Sequence, residues 1–306
     1  MASETEPSGA AAQKLAELGL SLNPNIPYNV DSLFPKLSGR GAKGEIKQKH
    51  QLIQKAEPLI GQMLVQNEEI LYVAKGIQFN QVELYFLSVW ALMINQTVFV
   101  LTNLRLILIH SDTKGNPRHM IWQIYYNQIE KFKPPSWTQM VTLKLKDGKQ
   151  FTTGFQGTDR KQMPEILENA LGAYAHYGFH PPATQSRENL CNKCLQIVPK
   201  DQYVCGNCQQ QFWKPGQIAL RSLIFPSWGD FLMGHTVLAI VELIGYVVSW
   251  MAFLAIMSWM VFHFGGPGAI TMVVPLGVWL VILCFEHSID AGLTYFIAKK
   301  GLTPRK

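Results

Sequence analysis

Two apolar stretches decide the architecture of this chain: residues 235–264 read HTVLAIVELIGYVVSWMAFLAIMSWMVFHF, and residues 269–285 read AITMVVPLGVWLVILCF. Between them, Gly265-Gly266-Pro267-Gly268 cannot continue a helix and indicates a tight turn. A membrane-spanning helix needs about 20 apolar residues, with a lower limit of about 17. The first stretch exceeds this length and the second just reaches it. The sequence therefore predicts a two-helix transmembrane hairpin over residues 235–298.

The basic residues predict how this hairpin is oriented. None of the 27 Lys and Arg residues lies within Ser222–Ala298; 23 precede it, and the other four belong to residues 299–306. Positively charged flanks stay on the cytoplasmic side. We therefore expect a multi-pass protein of the inner (cytoplasmic) membrane with both termini in the cytoplasm, ending in a basic cytoplasmic tail over 299–306. A buried helical hairpin in a soluble domain is the alternative. No secretory signal is visible in the first 30 residues.

Four of the five cysteines form two closely spaced pairs. Cys191 and Cys194 make one C-x-x-C hook, and Cys205 and Cys208 make a second after ten intervening residues. Each hook offers two thiolates to one ion, so the spacing suits a tetrahedral Zn²⁺ site. Cytoplasmic cysteines are reduced, which favours metal over disulfides. We predict a zinc ribbon over residues 188–214 with one structural Zn²⁺ per chain; two accidental pairs are the alternative.

The charge around this ribbon argues against nucleic acid as a partner. Only Lys193, Lys200 and Lys214 are basic between Cys191 and Pro215, whereas a nucleic-acid patch needs dense Lys and Arg. The formal net charge of +6 is explained by the cytoplasmic side of a membrane protein. The expected partners are the lipid bilayer, an unidentified cytoplasmic or membrane protein, and a second copy of the chain in a homo-oligomer.

The first 65 residues divide into two segments that differ in composition and periodicity. Residues 1–43 are rich in Ser, Gly, Pro, Ala and Asn without sustained periodicity, which predicts a disordered leader. Residues 44–65 carry apolar side chains at spacings of three and four, which predicts an amphipathic helix. Pro58 should kink this helix or split it in two.

Residues 68–157 change to short β-rich runs separated by turn signals. The Asp147-Gly148 pair between alternating runs is a strong hairpin signal. A helix over Asp159–Tyr177 follows. The predicted strands are Ile70–Gly76, Ala91–Leu101, Leu104–His110, His119–Tyr126, Thr138–Lys146 and Gln150–Phe155.

The order of these elements over residues 66–178 resembles the pleckstrin-homology (PH) superfold in its bacterial and GRAM-like branch. The segments that carry the resemblance are Glu68–Tyr72 (EEILY), Val100–Leu108 (VLTNLRLIL), Trp122, Gln128–Lys131 (QIEK) and Leu145–Lys149 (LKDGK). The resemblance implies an antiparallel β-barrel with a C-terminal helix, used for docking or assembly next to a membrane. It does not imply an enzyme.

Basic residues on this domain raise the question of lipid binding, since some relatives bind phosphoinositides. Lys131 and Lys133, and Lys144 and Lys146, are the candidate lipid-facing residues. The usual basic cluster of the first hairpin is missing, because no Lys or Arg lies between Gly76 and Leu104. We interpret the four lysines as a solvated basic face near anionic lipids rather than a specific headgroup pocket.

Residues 212–298 are similar to small bacterial membrane modules in which a ribbon leads through a PGLG-x-x-Y-x-G segment into two helices. Pro226, Gly229 and Gly234 keep that pattern, whereas Leu232 replaces the Tyr. Pro226 and Gly229 interrupt the apolar run, so residues 220–234 are predicted to form an interfacial segment.

Polar residues inside the predicted hairpin are candidate functional groups, because charge is expensive in a bilayer. They are Glu242, Glu286, His287 and Asp290, which antiparallel helices would bring to one depth together with His235 and Asp230. Three interpretations stay open: hydrogen bonding across the hairpin or to a second copy, placement in the headgroup zone, and a proton, ion or metal site.

These observations predict a multidomain α+β membrane protein: a PH-like β-barrel with a C-terminal helix, a zinc ribbon and a transmembrane α-helical hairpin. The sequence offers no convincing nucleophile–base set, phosphate loop or open metal site, so we expect no enzyme activity. The favoured function is a membrane-anchored adaptor or sensor at the cytoplasmic face. The alternatives are a component of an oligomeric transporter or channel that uses Glu242, and an accessory subunit of a membrane enzyme.

Overall fold

The computed structural model describes residues 9–79, 85, 87, 89–134, 140–263 and 269–305. The chain divides into two units, Met1–Gln210 and Gln211–Lys306. The predicted turn at 265–268 lies outside the described residues.

A nine-stranded antiparallel sheet forms the centre of the first unit. Its strands follow one another in the order β5-β6-β7-β1-β2-β3-β4-β8-β9. The strands are β1 (Ile70–Phe79), β2 (Gln96–Thr102), β3 (Arg105–Ser111), β4 (Pro117–Tyr125), β5 (Ile129–Lys133), β6 (Met140–Leu145), β7 (Gln150–Phe155), β8 (Glu188–Leu190) and β9 (Ile197–Val198).

The sheet is open, so the predicted closed barrel is wrong. Strands β5 and β9 form its two edges. The outer side of β4, which would have to meet β5 in a barrel, is occupied by β8, with Ile121 opposite Leu190. The segment before the first cysteine hook therefore extends the sheet instead of leaving β4 free for closure.

Both faces of the sheet are covered, and this explains why its central strands are largely apolar. On one face, helix α5 (Asp159–Tyr174) packs with Met163, Leu167 and Ala170 in a core that includes Phe99 and Leu108. On the other face, the N-terminal helices pack against the alternate side chains of β2 and β3. A strand that is buried on both faces is apolar almost throughout, and every residue of β3 is buried.

The N-terminal segment is part of this second core, so the expectation of disorder over residues 1–43 is wrong from residue 9 onward. Helix α1 (Ala10–Glu17) buries Leu15, and helix α2 (Val30–Leu33) buries Leu33 beside Phe34. Residues 1–8 lie outside the described part. Helices this short are stabilised by packing rather than by their own sequence. They are also too short to show a periodic apolar pattern, so the sequence did not predict them.

The predicted amphipathic helix is α3 (Ala42–Met63), which lies within about two residues of the predicted bounds. It buries Ile46, Ile53 and Ile60 against the sheet. Pro58 lies inside it, yet the helix is one continuous element. Proline removes only one backbone hydrogen bond, and buried side chains on both sides of this position hold the last turn.

The other differences from prediction concern short elements. Residues 91–94, predicted as the start of a strand, belong to helix α4 (Val89–Ile94). A short apolar run does not distinguish strand from helix by periodicity. Strand β5 was not predicted, whereas β7 has the predicted bounds.

The second unit contains the apolar helices. It consists of β10 (Phe212–Trp213), α6 (Pro215–Ile224), α7 (Trp228–Met233), α8 (Thr236–His263), α9 (Ala269–Ala298) and β11 (Thr303–Pro304). Within α8 and α9, Thr236–Met260 and Leu276–Ala298 are long and apolar enough to cross a membrane, with mean hydropathies of 2.1 and 1.5. The predicted interfacial segment, residues 220–234, contains the second half of α6 and all of α7. It exposes Leu220, Ile224, Phe225 and Trp228.

A short two-stranded sheet joins the two ends of this unit. Strand β10 pairs with β11, and the Arg305 N–H donates to the Gln211 carbonyl at 2.9 Å. The Trp213 ring has a guanidinium near it from each of two arginines, Arg221 at 4.2 Å and Arg305 at 4.1 Å from the ring centroid. The residues predicted as a basic tail thus include a paired strand.

Candidate functional sites

The four paired cysteines converge on one point. Their Sγ atoms all lie within 4.8 Å of one another. Cys191 Sγ is 3.5 Å from Cys208 Sγ, and Cys194 Sγ is 3.5 Å from Cys205 Sγ. Each close pair therefore joins the two hooks rather than the two cysteines of one hook, as a shared ion requires.

The two hooks have the same backbone conformation. In the first, the Cys191 N–H donates to the Gln196 carbonyl; in the second, the Cys205 N–H donates to the Gln210 carbonyl, and both bonds are 2.9 Å long. The residue after each hook has a positive φ of 58°, Leu195 in one and Gln209 in the other. This turn lets the chain fold back so that both thiols of a hook face the same side.

This arrangement fits a tetrahedral metal ion. Zn–S bonds of about 2.3 Å place the sulfurs of a tetrahedron about 3.8 Å apart, close to the separations here. Burial raises the pKa of the Cys191 thiol to about 12, so in the absence of an ion that thiol holds its proton at neutral pH. A bound cation would displace this proton. The four cysteines could therefore hold a metal ion, with no protein position left open for catalysis.

Three carboxylates from the second unit form another cluster. They are Asp230 on α7, Glu242 on α8 and Asp290 on α9, with ligand oxygens all within 4.8 Å of one another. Glu242 is six residues from the start of α8, and Asp290 is eight residues from the end of α9. At about 1.5 Å per residue, Glu242 lies roughly 10 Å along the helix from the start of α8, and Asp290 lies at a similar distance from the end of α9.

Hydrogen bonds from α9 and from the residues that flank α7 hold this cluster. The Ser227 N–H donates to Asp290 Oδ2 at 2.9 Å, and the Thr294 hydroxyl donates to Asp290 Oδ1 at 3.3 Å. His235 Nδ1 lies 3.2 Å from Asp230 Oδ1. Burial, followed by the nearby Asp290 charge, raises the pKa of Asp230 to about 8.

Gly229 allows α7 to approach α9 this closely. A Cβ at this position would lie 2.3 Å from Thr294 Cγ2 and 2.7 Å from Ser222 Oγ. The Gly229 N–H donates to Ser222 Oγ at 3.0 Å, and that hydroxyl lies 3.2 Å from Thr294 Oγ1. The glycine is therefore needed for packing, not for a turn.

The other two polar residues of the predicted intramembrane set, Glu286 and His287, are not members of the carboxylate cluster. Glu286 is exposed on α9. His287 Nδ1 lies 2.8 Å from the Leu223 carbonyl, and its ring contacts Tyr246 with the centroids 5.6 Å apart. The sequence placed Asp230 at the same depth as Glu242 and Asp290. It gave no signal for Ser227, which contributes to the site through its backbone N–H.

The four candidate lipid-facing lysines lie at one edge of the large sheet. Lys131 on β5 is directly opposite Lys144 on β6, and Lys133 is opposite Thr142. Lys146 follows β6 and is exposed. Lys144 Nζ forms a half-exposed ion pair with Glu130 at 2.8 Å. This edge is thus partly neutralised.

A second basic surface, which we call the lysine groove, was not predicted. It has a volume of about 590 Å³ and lies between α3, β1, the β3–β4 turn and the start of α5. Lys55 Nζ donates to the Lys114 carbonyl at 2.6 Å, and Lys75 Nζ donates to the neighbouring Thr113 carbonyl at 2.7 Å. Its lysines come from three separate elements, so no local motif identifies it.

One end of the lysine groove contains a partly buried ion pair. Lys49 Nζ lies 2.9 Å from Asp159 Oδ1, which also accepts a hydrogen bond of 2.7 Å from the Tyr72 hydroxyl. The ammonium lies 3.4 Å from the centre of the Tyr72 ring. Burial lowers the pKa of Lys49, although the Asp159 charge opposes this shift.

Comparison with known proteins assigns a class to one part of the chain. Residues 64–168 match the family described as bacterial PH domain, a region that contains β1 to β7. No curated protein matches the chain. Among solved structures, the C-terminal domain of an unknown protein from Leishmania infantum is similar at 13% identity and a TM-score of 0.28, over 40% of this chain and 94% of that one. The PH-like domain indicates a binding or adaptor role.

Proposed function

We propose that this protein is a non-catalytic, membrane-anchored adaptor or sensor. The observation that carries the proposal is the combination, in one chain, of a bacterial PH-domain match over residues 64–168 with two helices long and apolar enough to cross a membrane. A docking domain tied to a bilayer meets its partners at the membrane surface, where association is favoured by a high effective concentration.

In this proposal the helices anchor the chain in the inner membrane, and both soluble ends face the cytoplasm. The charge distribution supports this orientation, because Ser222–Ala298 contains no Lys or Arg. The four-cysteine cluster binds one Zn²⁺ and has a structural role. All four ligand positions come from the protein, so the ion stabilises the fold and offers no site to a substrate.

We place the docking surface at the lysine groove. Lys55 and Lys75 each donate one hydrogen bond to adjacent carbonyls of the β3–β4 turn, which holds their positive charges side by side. Each ammonium keeps two further donors for an anionic group. At the edge of the sheet, by contrast, Lys144 is already paired with Glu130. The partner that fits is an acidic segment of a cytoplasmic or membrane protein.

Site-specific crosslinking in native membranes tests this proposal. A photoreactive residue at Gln51, an exposed position that lines the lysine groove, should give one main protein adduct. The adduct should be lost when Lys55 and Lys75 are replaced by Glu. The matched control is the same photoreactive residue at Lys131, on the edge of the sheet, which should give none. Equal adducts from both positions, or no protein adduct from Gln51, would contradict the proposed docking surface.

A transport function is the second candidate, favoured by the position of Glu242 among other carboxylates in the apolar unit. Two helices per chain cannot enclose a pore, so transport requires an oligomer. Replacing Glu242 by Gln and measuring oligomer size together with ion flux distinguishes the functions: anchoring tolerates the change, transport is lost, and a packing role alters assembly alone.

A further inference from the structure

Helix α6 ends at a break, and two backbone groups at this break have partners on α9. In a continuous helix the Leu223 carbonyl would accept from the Ser227 N–H, four residues later. Here His287 Nδ1 lies 2.8 Å from the Leu223 carbonyl, and the Ser227 N–H donates to Asp290 Oδ2 at 2.9 Å. Since a carbonyl can only accept, Nδ1 of His287 carries the proton. Two side chains of α9 thus replace the hydrogen bond that the break removes.

The turn between α6 and α7 is buried, whereas the side chains on either side of it are apolar and exposed. Pro226 and Ser227 in the turn are buried. Ile224 is 66% exposed, and Phe225 and Trp228 are 45% and 43% exposed. Non-helical backbone within a bilayer is tolerated where the protein shields it and supplies its hydrogen bonds. The turn meets both conditions, and its exposed side chains suit an apolar solvent.

This turn lies beside the middle of the second candidate span. That span is Leu276–Ala298, and His287 is at its centre. Helix α6 runs along the half of the span that ends at Ala298, where Ser222 Oγ lies 3.2 Å from Thr294 Oγ1. At about 1.5 Å per residue, His287 is roughly 16 Å along the helix from that end. This is about half of the 30 Å hydrocarbon core of a bilayer.

The surroundings of the turn indicate which molecules cover its exposed side chains. At the level of His287, α9 also exposes Phe285 and Ile289. Neither Lys nor Arg occurs from Ser222 to Ala298. The nearest cation in sequence, on Arg221, is held over the Trp213 ring at 4.2 Å from its centroid. The surface of α6 and α7 is therefore continuous in character with the apolar surface of the span, and acyl chains that surround one would also contact the other.

We propose that residues 215–234 form a re-entrant helical hairpin that binds the acyl chains of the cytoplasmic leaflet, with His287 and Asp290 holding its tip. The inference rests on the membrane anchoring proposed above. It adds a segment that enters one leaflet without crossing the bilayer, whereas the interfacial segment predicted from the sequence would lie at the headgroups. His287 and Asp290 are positioning residues in this arrangement, because they supply the hydrogen bonds that lipid cannot.

Spin labels on the full chain in lipid vesicles test the depth of this segment. A nitroxide amino acid is introduced at Ile224 by genetic-code expansion and exposed to oxygen, which concentrates among acyl chains, or to a nickel chelate, which stays in water. We expect oxygen, and not the chelate, to reach the label at Ile224. At Gly216, an exposed position at the start of α6 with space for a side chain, the chelate should reach the label.

A third label position separates this proposal from the anchor on which it rests. Met251 is 65% exposed within the first span, Thr236–Met260, and oxygen alone should reach a label there. If the chelate reaches Met251, the anchor fails and the re-entrant segment fails with it. If Met251 is in lipid while the chelate reaches Ile224 as readily as Gly216, the anchor stands and the re-entrant segment is overturned. A label at Ile224 that neither reagent reaches also overturns it, since a protein surface then covers the segment.

Substitutions at Asp290 test its role at the tip, with the label kept at Ile224. Asp290→Leu removes the acceptor of the Ser227 N–H, so the tip should move toward water and collisions with the chelate should rise about threefold. Asp290→Asn retains an acceptor oxygen and should leave the label in lipid. Glu286→Leu, at an exposed position of the same helix, is the matched control and should also leave it there. A label at Met251 in each variant reports whether the spans still insert. Unchanged access in Asp290→Leu, or equal access in all three variants, would overturn the role of Asp290.

Discussion

A buried arginine shows how single residues hold the first unit together. Arg105 is 5% exposed and forms an ion pair with Glu68 at 2.8 Å; its guanidinium also donates to Gln123 and to the Met63 carbonyl. Gln123 in turn donates to Glu188 at 2.8 Å. The network connects the end of α3 with β3, β4 and β8, so its members come from distant parts of the chain.

Replacing Arg105 by Met should destabilise the protein by about 3–5 kcal/mol, because the Glu68 carboxylate then stays buried without its partner. The matched control is Lys144→Met, which breaks the half-exposed ion pair with Glu130 and should cost less than about 1 kcal/mol. Thermal unfolding of both variants in detergent measures the difference. Equal costs would show that the buried network contributes no more than a surface pair.

The packing of α3 can also be tested at one residue. Ile53 is 0% exposed and belongs to the core between the N-terminal helices and the sheet. Ile53→Ala should cost about 2–5 kcal/mol, the range for removing buried methyl groups. Gln54→Ala changes an exposed neighbour and should stay within about 0.5 kcal/mol of the unsubstituted chain. A small effect at Ile53 would mean that the N-terminal helices do not form a core with the sheet.

At the scale of elements, the two cysteine hooks give a prediction about metal content. The chain should carry one Zn²⁺, and Cys191→Ser or Cys205→Ser should remove it, because three thiolates hold the ion far less tightly than four. Cys284 is exposed on α9 and is not one of the four clustered cysteines, so Cys284→Ser should keep the metal. Elemental analysis of the purified variants measures the zinc content per chain and tests this prediction. Zinc retained in Cys205→Ser would argue against a four-cysteine site.

Elements that are determined by the pattern of their own residues could be predicted from the sequence. Elements that depend on contacts with residues distant in sequence could not. Strand β7 and helix α3 follow from periods of 2 and 3.6 within their own residues. The four clustered cysteines could be predicted because the spacing of metal-binding cysteines is a pattern within a short stretch of sequence. The open sheet depends on β8 pairing with β4, more than 60 residues earlier, and the lysine groove combines three separate elements. The helix over residues 10–17 depends on the core in which Leu15 is buried, and that core is built from distant parts of the chain.

At the scale of the whole molecule, the charge distribution predicts where the carboxyl end lies. A green fluorescent protein joined after Lys306 should fluoresce, because that reporter folds only in the cytoplasm, and alkaline phosphatase at the same position should be inactive. Both results follow if positive flanks stay inside. Recovery of the fusion protein in the soluble fraction after alkaline extraction of the membranes would contradict the membrane anchor itself.

The pairing of β10 with β11 restricts how many times the chain can cross a bilayer. These strands lie before and after both apolar helices, and they pair through Phe212–Pro304 and Trp213–Thr303. Backbone hydrogen bonds of this kind form only when both partners emerge on the same side, so the number of crossings between them must be even. A molecule with one helix left uninserted would present two unpaired strands and an uncovered Trp213 ring. The small sheet therefore distinguishes an even from an odd number of crossings between its two strands.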